Sequence, residues 1–293
     1  MINIFRDKLF HLVHSSFLSH QSIYKLLQVD PTLTHLYTMP PTKLQKIFRF
    51  DDKKMNRFSK EFESIQPEKL FRLYQSRNIH FITILDPEYP PLLKEIHDPP
   101  FVLFLQGNSS LFHGRLLAIV GARDSDHFGK NSLRLLMPDL IQEKLTIVSG
   151  LAKGADTFAH EQAIEFGGKT IGVLGGGFFH LYPRENRKLA EFMAREHLLV
   201  SEYPPIKKPE KWHFPMRNRI IAGLSLGTLV IQAKKRSGSL ITADMALDAG
   251  REVYAIPGPI HHKLSEGTNH LIQQGAKLVS SSTDILEELY FRN

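Results

Sequence analysis

The chain has 293 residues, 42% hydrophobic and 23% charged, enough for one large globular domain or one domain with a small companion. It contains no cysteine, which excludes a disulfide scaffold, a cysteine nucleophile and any Cys-ligated metal site. No apolar run approaches the roughly 20 residues needed to cross a bilayer. The N-terminal stretch carries Arg6 and Lys8 among its apolar residues and reads as an amphipathic helix, not a signal peptide, so a cytoplasmic protein without a membrane span is expected.

Residues 1–70 predict a small all-helical domain. Apolar residues recur at three- and four-residue spacing (Leu9, Leu12, Val13, Phe17, then Leu26 and Leu27), prolines 31, 40, 41 and 67 punctuate them, and no glycine occurs before Gly107. Residues 71–293 predict an α/β domain. Strands are expected over 79–85 and 101–106, on either side of a proline-rich stretch. Further short β-rich runs follow at 116–120, 145–148, 170–174, 198–201, 228–232 and 252–256, alternating with amphipathic segments. That alternation predicts βαβ units in a doubly wound, mostly parallel sheet, and the near-continuous apolar runs predict helices on both faces.

In such a sheet ligands bind beyond the carboxyl ends of the strands. Four junctions there share one character: Gly121-Ala122-Arg123; Ser149-Gly150 with Lys153; Gly175-Gly176-Gly177; and Ser237-Gly238-Ser239, directly behind Lys234-Lys235-Arg236. Glycine admits an anion close to the backbone, helix-end N–H groups supply donors and serine hydroxyls add more. Any one junction could be only a tight turn; four on one edge point to phosphate. No Walker A loop is present, and the dinucleotide fingerprint lacks its third glycine, where Phe178 and Phe179 stand. These rings would stack on bases or pack beneath the loop.

Charge is concentrated. Residues 207–236 hold eight bases against Glu210 alone, with Trp212, His213 and Phe214 among them. A solvated face explains such a run, as does a polyanion with stackable rings. Arg184, Arg187 and Lys188 open one helix, and Arg217, Asn218 and Arg219 lie near the start of another. His261-His262 has no metal-ligand spacing and no nucleophile elbow is found, so neither catalytic residues, metal nor cofactor are expected.

With these motifs in view, the chain resembles the DNA-processing protein A family (DprA, also called Smf) from about Tyr89 to Asp284. The resemblance is carried, in order, by Gly121-Ala122-Arg123, by Ser149 to Asp156 with Ala159-His160, and by Tyr182-Pro183 with Asn186. Ser201-Glu202, Phe214 to Ile221, Ser237 to Ala243, Pro257-Gly258 and Gly267-Thr268-Asn269 complete it. It implies an extended Rossmann-like core with a SAM-like helical domain at the N-terminus. It also implies a non-enzymatic single-stranded DNA binder that dimerises and loads RecA recombinase onto incoming strands in natural transformation, against single-strand-binding protein. Carried over, Arg123 grips a phosphate beside Ser149, Gly150 and Lys153, with Arg184, Arg187, Lys188, Arg217 and Arg219 along the same groove.

Four positions depart from the family pattern. Asp126 and Phe128 replace Ser/Thr and Tyr, an acid that would repel phosphate unless turned away; Ala155 replaces isoleucine; and Gln232 replaces a strand-end Glu. The sequence stops at Asn293 without the winged-helix module of some members, so no duplex-reading element is expected. Leu271, Ile272 and Leu278 are candidate dimer contacts, or simply pack on the sheet. A nucleotide-binding or nucleotide-processing Rossmann-like enzyme, and an adaptor whose basic segment meets an acidic protein, are the competing readings.

Overall fold

Capping supports the helical reading of the N-terminal region. The structure, a computed structural model, describes residues 4–290. Helices α1 (Ile4–Val13), α2 (His20–Val29), α3 (Pro41–Phe48), α4 (Asp52–Ser64) and α5 (Pro67–Gln75) come first. The Ser19 hydroxyl accepts from the Ser22 amide at 3.2 Å to start α2, and the Asp51 carboxylate accepts from the Lys54 amide at 2.6 Å to start α4. Proline occupies the first turn of α3 and of α5, where its missing N–H costs nothing. Helix α5 runs on to Gln75, and Tyr74 is buried with Leu9 and Phe10. Helix α5 thus carries the helical run past residue 70, because Leu70 and Tyr74 continue the core-facing spacing.

The remainder alternates strands and helices: β1 (His80–Thr83), α6 (Pro91–Lys94), β2 (Val102–Gly107), β3 (Arg115–Val120), α7 (His127–Gln142), β4 (Leu145–Ser149), α8 (Ala155–Glu165) and β5 (Lys169–Val173). Then come α9 (Arg187–Glu196), β6 (Leu198–Ser201), α10 (His213–Leu224), β7 (Gly227–Val230), α11 (Gly238–Asp248), β8 (Glu252–Ala255), α12 (Glu266–Gln273), β9 (Lys277–Leu278) and α13 (Thr283–Tyr290). The strands form one 9-stranded sheet in the order β1-β2-β6-β5-β4-β3-β7-β8-β9. From β6 to β9 every pairing is parallel; β2 pairs antiparallel with both β6 and β1. This is the doubly wound, Rossmann-like sheet expected, extended at one edge by an antiparallel pair. The two-residue β9 escaped the sequence reading because so short a run shows no alternation.

Residues alternate between the faces of each strand. Leu116, Ala118 and Val120 of β3 pack with Ile220, Ile221, Ala243, Ala246 and Leu271, under α10, α11 and α12. Leu117 and Ile119 pack with Leu133, Met137, Ala159 and Ile285, under α7, α8 and α13. Leu271 is thus spent in the core and cannot be a dimer contact as expected, since apolar spacing on a helix does not say which partner covers it. Ile272 is partly buried against the same core, whereas Leu278 is exposed on β9.

A third cluster joins the helical unit to the sheet. Leu9, Phe10, Phe48, Phe58 and Tyr74 share it with Phe81, Val102, Phe104 and Leu199. The Phe10 ring lies 4.8 Å from Phe81 and 6.1 Å from Phe104, and His20 stacks on Phe101 at 4.3 Å. Because one apolar core spans the seam, helical unit and sheet are expected to unfold together. Phe104→Ala, at a fully buried ring, should cost about 3–5 kcal/mol. Urea titrations followed by circular dichroism should show one transition moved to lower denaturant, not a separate loss of the N-terminal helices.

Candidate functional site

The strand order reverses between β3 and β7: β4 lies on one side of β3 and β7 on the other. Loops leaving the two strands diverge at such a point and leave a crevice. A cavity of about 250 Å³ occupies it, lined by Gly121, Ala122, Arg123 and Asp124 after β3, by Lys234, Ser237, Gly238 and Ser239 after β7, and by Ala152, Asp156, Arg217, Asn218 and Thr242. Two of the four glycine junctions therefore meet here, with Ala152 and Asp156 reaching in from a third.

Backbone geometry builds the walls. The Ala122 amide donates to the Gln232 carbonyl at 2.8 Å, tying the β3 loop to the end of β7, and the Ala155 amide donates to the Ala122 carbonyl at 3.1 Å. Gly154 holds φ at +71°, and a Cβ there would lie 2.5 Å from the Arg123 carbonyl oxygen, so only glycine lets the two loops touch. At the start of α11 the Ser237 hydroxyl meets the Ser239 hydroxyl at 2.8 Å and does not cap the helix. The first-turn amides of Gly238 and Ser239, with no acceptor among the described residues, add the positive end of the helix dipole to the wall.

The cations differ in kind. Arg123 is exposed, makes no ion pair among the described residues, and sits over the Phe214 ring at 5.6 Å. Lys234 is exposed and hydrogen-bonded to Asp124, whose carboxyl this lysine holds below its ordinary range. Arg217 is buried in the floor. Its Nη1 donates to the Val173 carbonyl at the end of β5, its Nε to Asn218 Oδ1 at 3.2 Å, and its Nη2 lies 3.9 Å from Asp156. Burial pulls its pKa below the usual arginine value, with the Asp156 charge opposing. A Cβ on Gly150 would fall 2.2 Å from this guanidinium, which explains that glycine. The structure thus assigns Gly150 to the packing beneath the site.

Several expected contacts lie elsewhere. Arg219 is buried on the other side of α10, 2.6 Å from Glu202, since residues two apart on a helix point nearly opposite ways. The buried Ser149 hydroxyl donates to the Ile119 carbonyl at 2.6 Å, inside the sheet. Lys153 pairs with Glu185 at 2.5 Å on the surface, and Arg187 with Glu191 at 2.8 Å. Arg184, Lys188 and Lys235 are exposed but do not line the cavity. The Gly175–Gly177 loop is covered: added Cβ atoms would strike Phe214, Pro209 and the Pro204 carbonyl. Its Gly177 amide donates to the Lys207 carbonyl at 2.8 Å, and the space beside it, about 10 Å³, has room for at most a water. Of the aromatic pair after it, Phe178 is buried, while the exposed Phe179 ring stands 6.1 Å from Tyr74.

Sequence reasoning named Lys234, Asp156 and Thr242 only within their motifs, giving them no contact of their own, and did not name Asp124. Lys234 carried a usable signal, since it stands closer than Lys235 to the end of β7. Among aromatics, Tyr182 continues the row from Arg123 and Phe214, its ring 5.8 Å from Phe214. Asp126 does not line the cavity. Its carboxylate caps α7 by accepting from the Phe128 and Gly129 amides, accepts from Gln232 Nε2 at 2.9 Å and lies 3.0 Å from His262 Nε2. Burial pushes its pKa up, but these hydrogen bonds and the histidine outweigh that and hold it low. Among the described residues, no group of three or more His, Asp or Glu could hold a metal.

His160 supports the loop from beneath. Its Nε2 donates to the Gly150 carbonyl, and Nδ1 meets the Thr170 hydroxyl at 2.6 Å. Burial pushes its pKa down to about 4, and that of His14 in the helical unit likewise to about 4. Both are then neutral when folded and take up protons on unfolding between pH 6.5 and 4. Their contribution is present above about pH 6.5 and is lost as pH falls through about 4, on the order of 3 kcal/mol each. Urea titrations at pH 7 and 4.5 should show this loss, reduced in His160→Gln. Arg217→Met leaves Asp156 without its cation and should cost about 3–5 kcal/mol, whereas Arg123→Ala should leave the denaturation midpoint within error of wild type.

Comparisons with known proteins now bear on this geometry. The family model described as DNA recombination-mediator protein A matches residues 80–290. The chain is 46% identical over 279 residues to DNA processing protein DprA of Bacillus subtilis, covering 94% of this chain and 92% of that one. The X-ray structure of DprA from Streptococcus pneumoniae superposes with a TM-score of 0.85 at 41% identity, over 96% of this chain and 97% of that one. DNA processing protein A from Helicobacter pylori, solved to explain its single-stranded DNA binding mode, gives a TM-score of 0.65 at 28% identity, over 73% and 97%. With a model spanning the whole sheet and relatives alike over nearly their full length, the chain belongs to the DNA recombination-mediator protein A (DprA/Smf) family.

Proposed function

We propose that this protein binds single-stranded DNA along the crevice between β3 and β7, and that it does so as a carrier of the strand, not as an enzyme. The observation that carries this is the row running out of the cavity: the open α11 amides and Lys234, then Arg123, without an ion pair among the described residues, then the Phe214 and Tyr182 rings. Donors and cations hold a phosphate, and the rings beside them accept bases of any identity. The Helicobacter pylori relative, whose structure is described for its single-stranded DNA binding mode, supports the same reading.

Both carboxylates of the cavity are engaged, Asp124 with Lys234 and Asp156 with the Ala152 amide and Arg217, which favours binding over proton transfer. On this reading the protein is a cytoplasmic homodimer that loads RecA recombinase onto incoming strands against single-strand-binding protein during natural transformation. Ile272 and the exposed Leu278 are then the remaining candidates for its dimer contact.

Fluorescence anisotropy of labelled dT oligomers, and of a matching duplex, tests the proposal at two salt concentrations. Wild type should bind the single strand tightly, with affinity falling steeply with salt, and Arg123→Ala should weaken it at least about tenfold. Equal affinity of the mutant, or affinity that hardly changes with salt, would reject the assignment. Turnover of a nucleotide panel lost in Glu202→Gln would instead favour the nucleotide-processing alternative.

A further inference from the structure

A second basic surface lies on the helical unit. Between residues 43 and 60 the chain carries seven Lys and Arg against two acids. All seven side chains are exposed, and none forms an ion pair among the described residues. Both acids are committed within the fold: Asp51 accepts from the Lys54 amide at 2.6 Å, and Asp52 from Gln45 Nε2 at 2.6 Å.

Helix geometry gathers the cations. In α4, Met55 and Phe58 are buried and Phe62 half-buried, so Lys53, Arg57 and Lys60 form a stripe on the outward side. Helix α3 buries Leu44 and Phe48 and turns Lys43 and Lys46 out. Like charges three and four residues apart repel; of the two acids that follow on α4, Glu61 is taken up by Ser15 and Ser16, and neither it nor Glu63 forms an ion pair among the described residues. A polyanion would relieve that repulsion.

The surface also lacks what a protein partner needs. Interfaces between proteins centre on apolar or aromatic anchors. The aromatics nearest the stripe are covered by its own cations, Phe50 by Lys54 at 4.1 Å and Phe17 by Arg57 at 5.3 Å. The helical unit, moreover, meets the segment that carries Tyr182, for Tyr74 of α5 lies 6.1 Å from Phe179, three residues before it. A strand leaving the crevice past Tyr182 would therefore run toward it.

We propose that the α3–α4 face is a second, sequence-independent contact for the phosphate backbone of the same nucleic acid, engaged once a strand outgrows the crevice. This rests on the single-stranded DNA reading of the crevice and adds to it a site-size effect that the crevice alone would not produce.

The test uses the full chain, a short dT oligomer of about ten nucleotides and a long one of about sixty, chosen to fill or exceed one binding groove. Two triple variants are compared with wild type: Lys53→Ala/Arg57→Ala/Lys60→Ala, and Lys43→Ala/Lys46→Ala/Lys53→Ala. The second keeps Arg57 over Phe17 should the first be poorly folded. Both should bind the short oligomer as wild type does and the long one about tenfold more weakly, with a salt slope shallower by about 0.7 per lost phosphate contact. Long-oligomer binding unchanged in both variants, or short-oligomer binding weakened equally, would overturn the proposal. So would phosphatidylserine vesicles or polyglutamate competing for the wild-type face better than DNA. Arg123→Ala measured alongside separates the two ideas. If it changes neither oligomer's affinity, the crevice reading fails, while the triple variants still decide whether this face contacts the long strand.

Discussion

The buried guanidinium of Arg217 is the constraint on which the site depends. It reaches from α10 to the end of β5 through the Val173 carbonyl, toward α8 through Asp156, and it leaves no space for a side chain at position 150. A charge so placed is tolerated only because each neighbour supplies an acceptor or a counter-charge. Three elements are thereby held in one register, and the loops they carry converge. His160 acts from below in the same sense, holding the Gly150 carbonyl inward. The exposed Arg123 is then free to meet a ligand, because the fold does not need it for its own cohesion.

A similar division explains the departures from the family pattern. Asp126 and Gln232 are one unit: the amide nitrogen of Gln232 donates to the carboxylate, its oxygen accepts from Ser125 at 2.6 Å and from the Asp126 amide at 3.1 Å, and His262 closes the group. A glutamate at 232 would bring a second carboxylate against Asp126, where an amide brings a donor. The acid that sequence reasoning set against phosphate binding is turned instead to the start of α7.

The charge of the chain likewise splits into spent and unspent parts. Within the basic segment, Arg217 and Arg219 are internal, Lys207 is paired with Glu210 at 3.0 Å, and Lys234 is shared with Asp124. What remains outward is Lys208, Lys211, Lys235 and Arg236. On α3 and α4 no cation forms an ion pair among the described residues. A count of basic residues along the sequence ranks these two regions in the wrong order of availability.

The sequence by itself determined the alternation of strands and helices, the sheet class, the strand ends at which a ligand would sit and the family. Each is written in local periodicity or in an ordered set of short motifs. It also identified the loops that build the cavity, through Gly121, Arg123 and Ser237 to Ser239. Only tertiary structure decided which glycines face the cavity and which face the chain. The Gly175–Gly177 loop is covered by Pro204, Pro205, Pro209 and Phe214, residues about thirty to forty positions away, and Gly150 by the Arg217 side chain. It also decided that Arg219 and Ser149 turn inward, that Leu271 belongs to the core, and that Lys234 stands opposite Asp124 across 110 residues of chain. Local patterns report what a residue prefers. The direction in which its side chain points depends on neighbours that only the folded chain brings near.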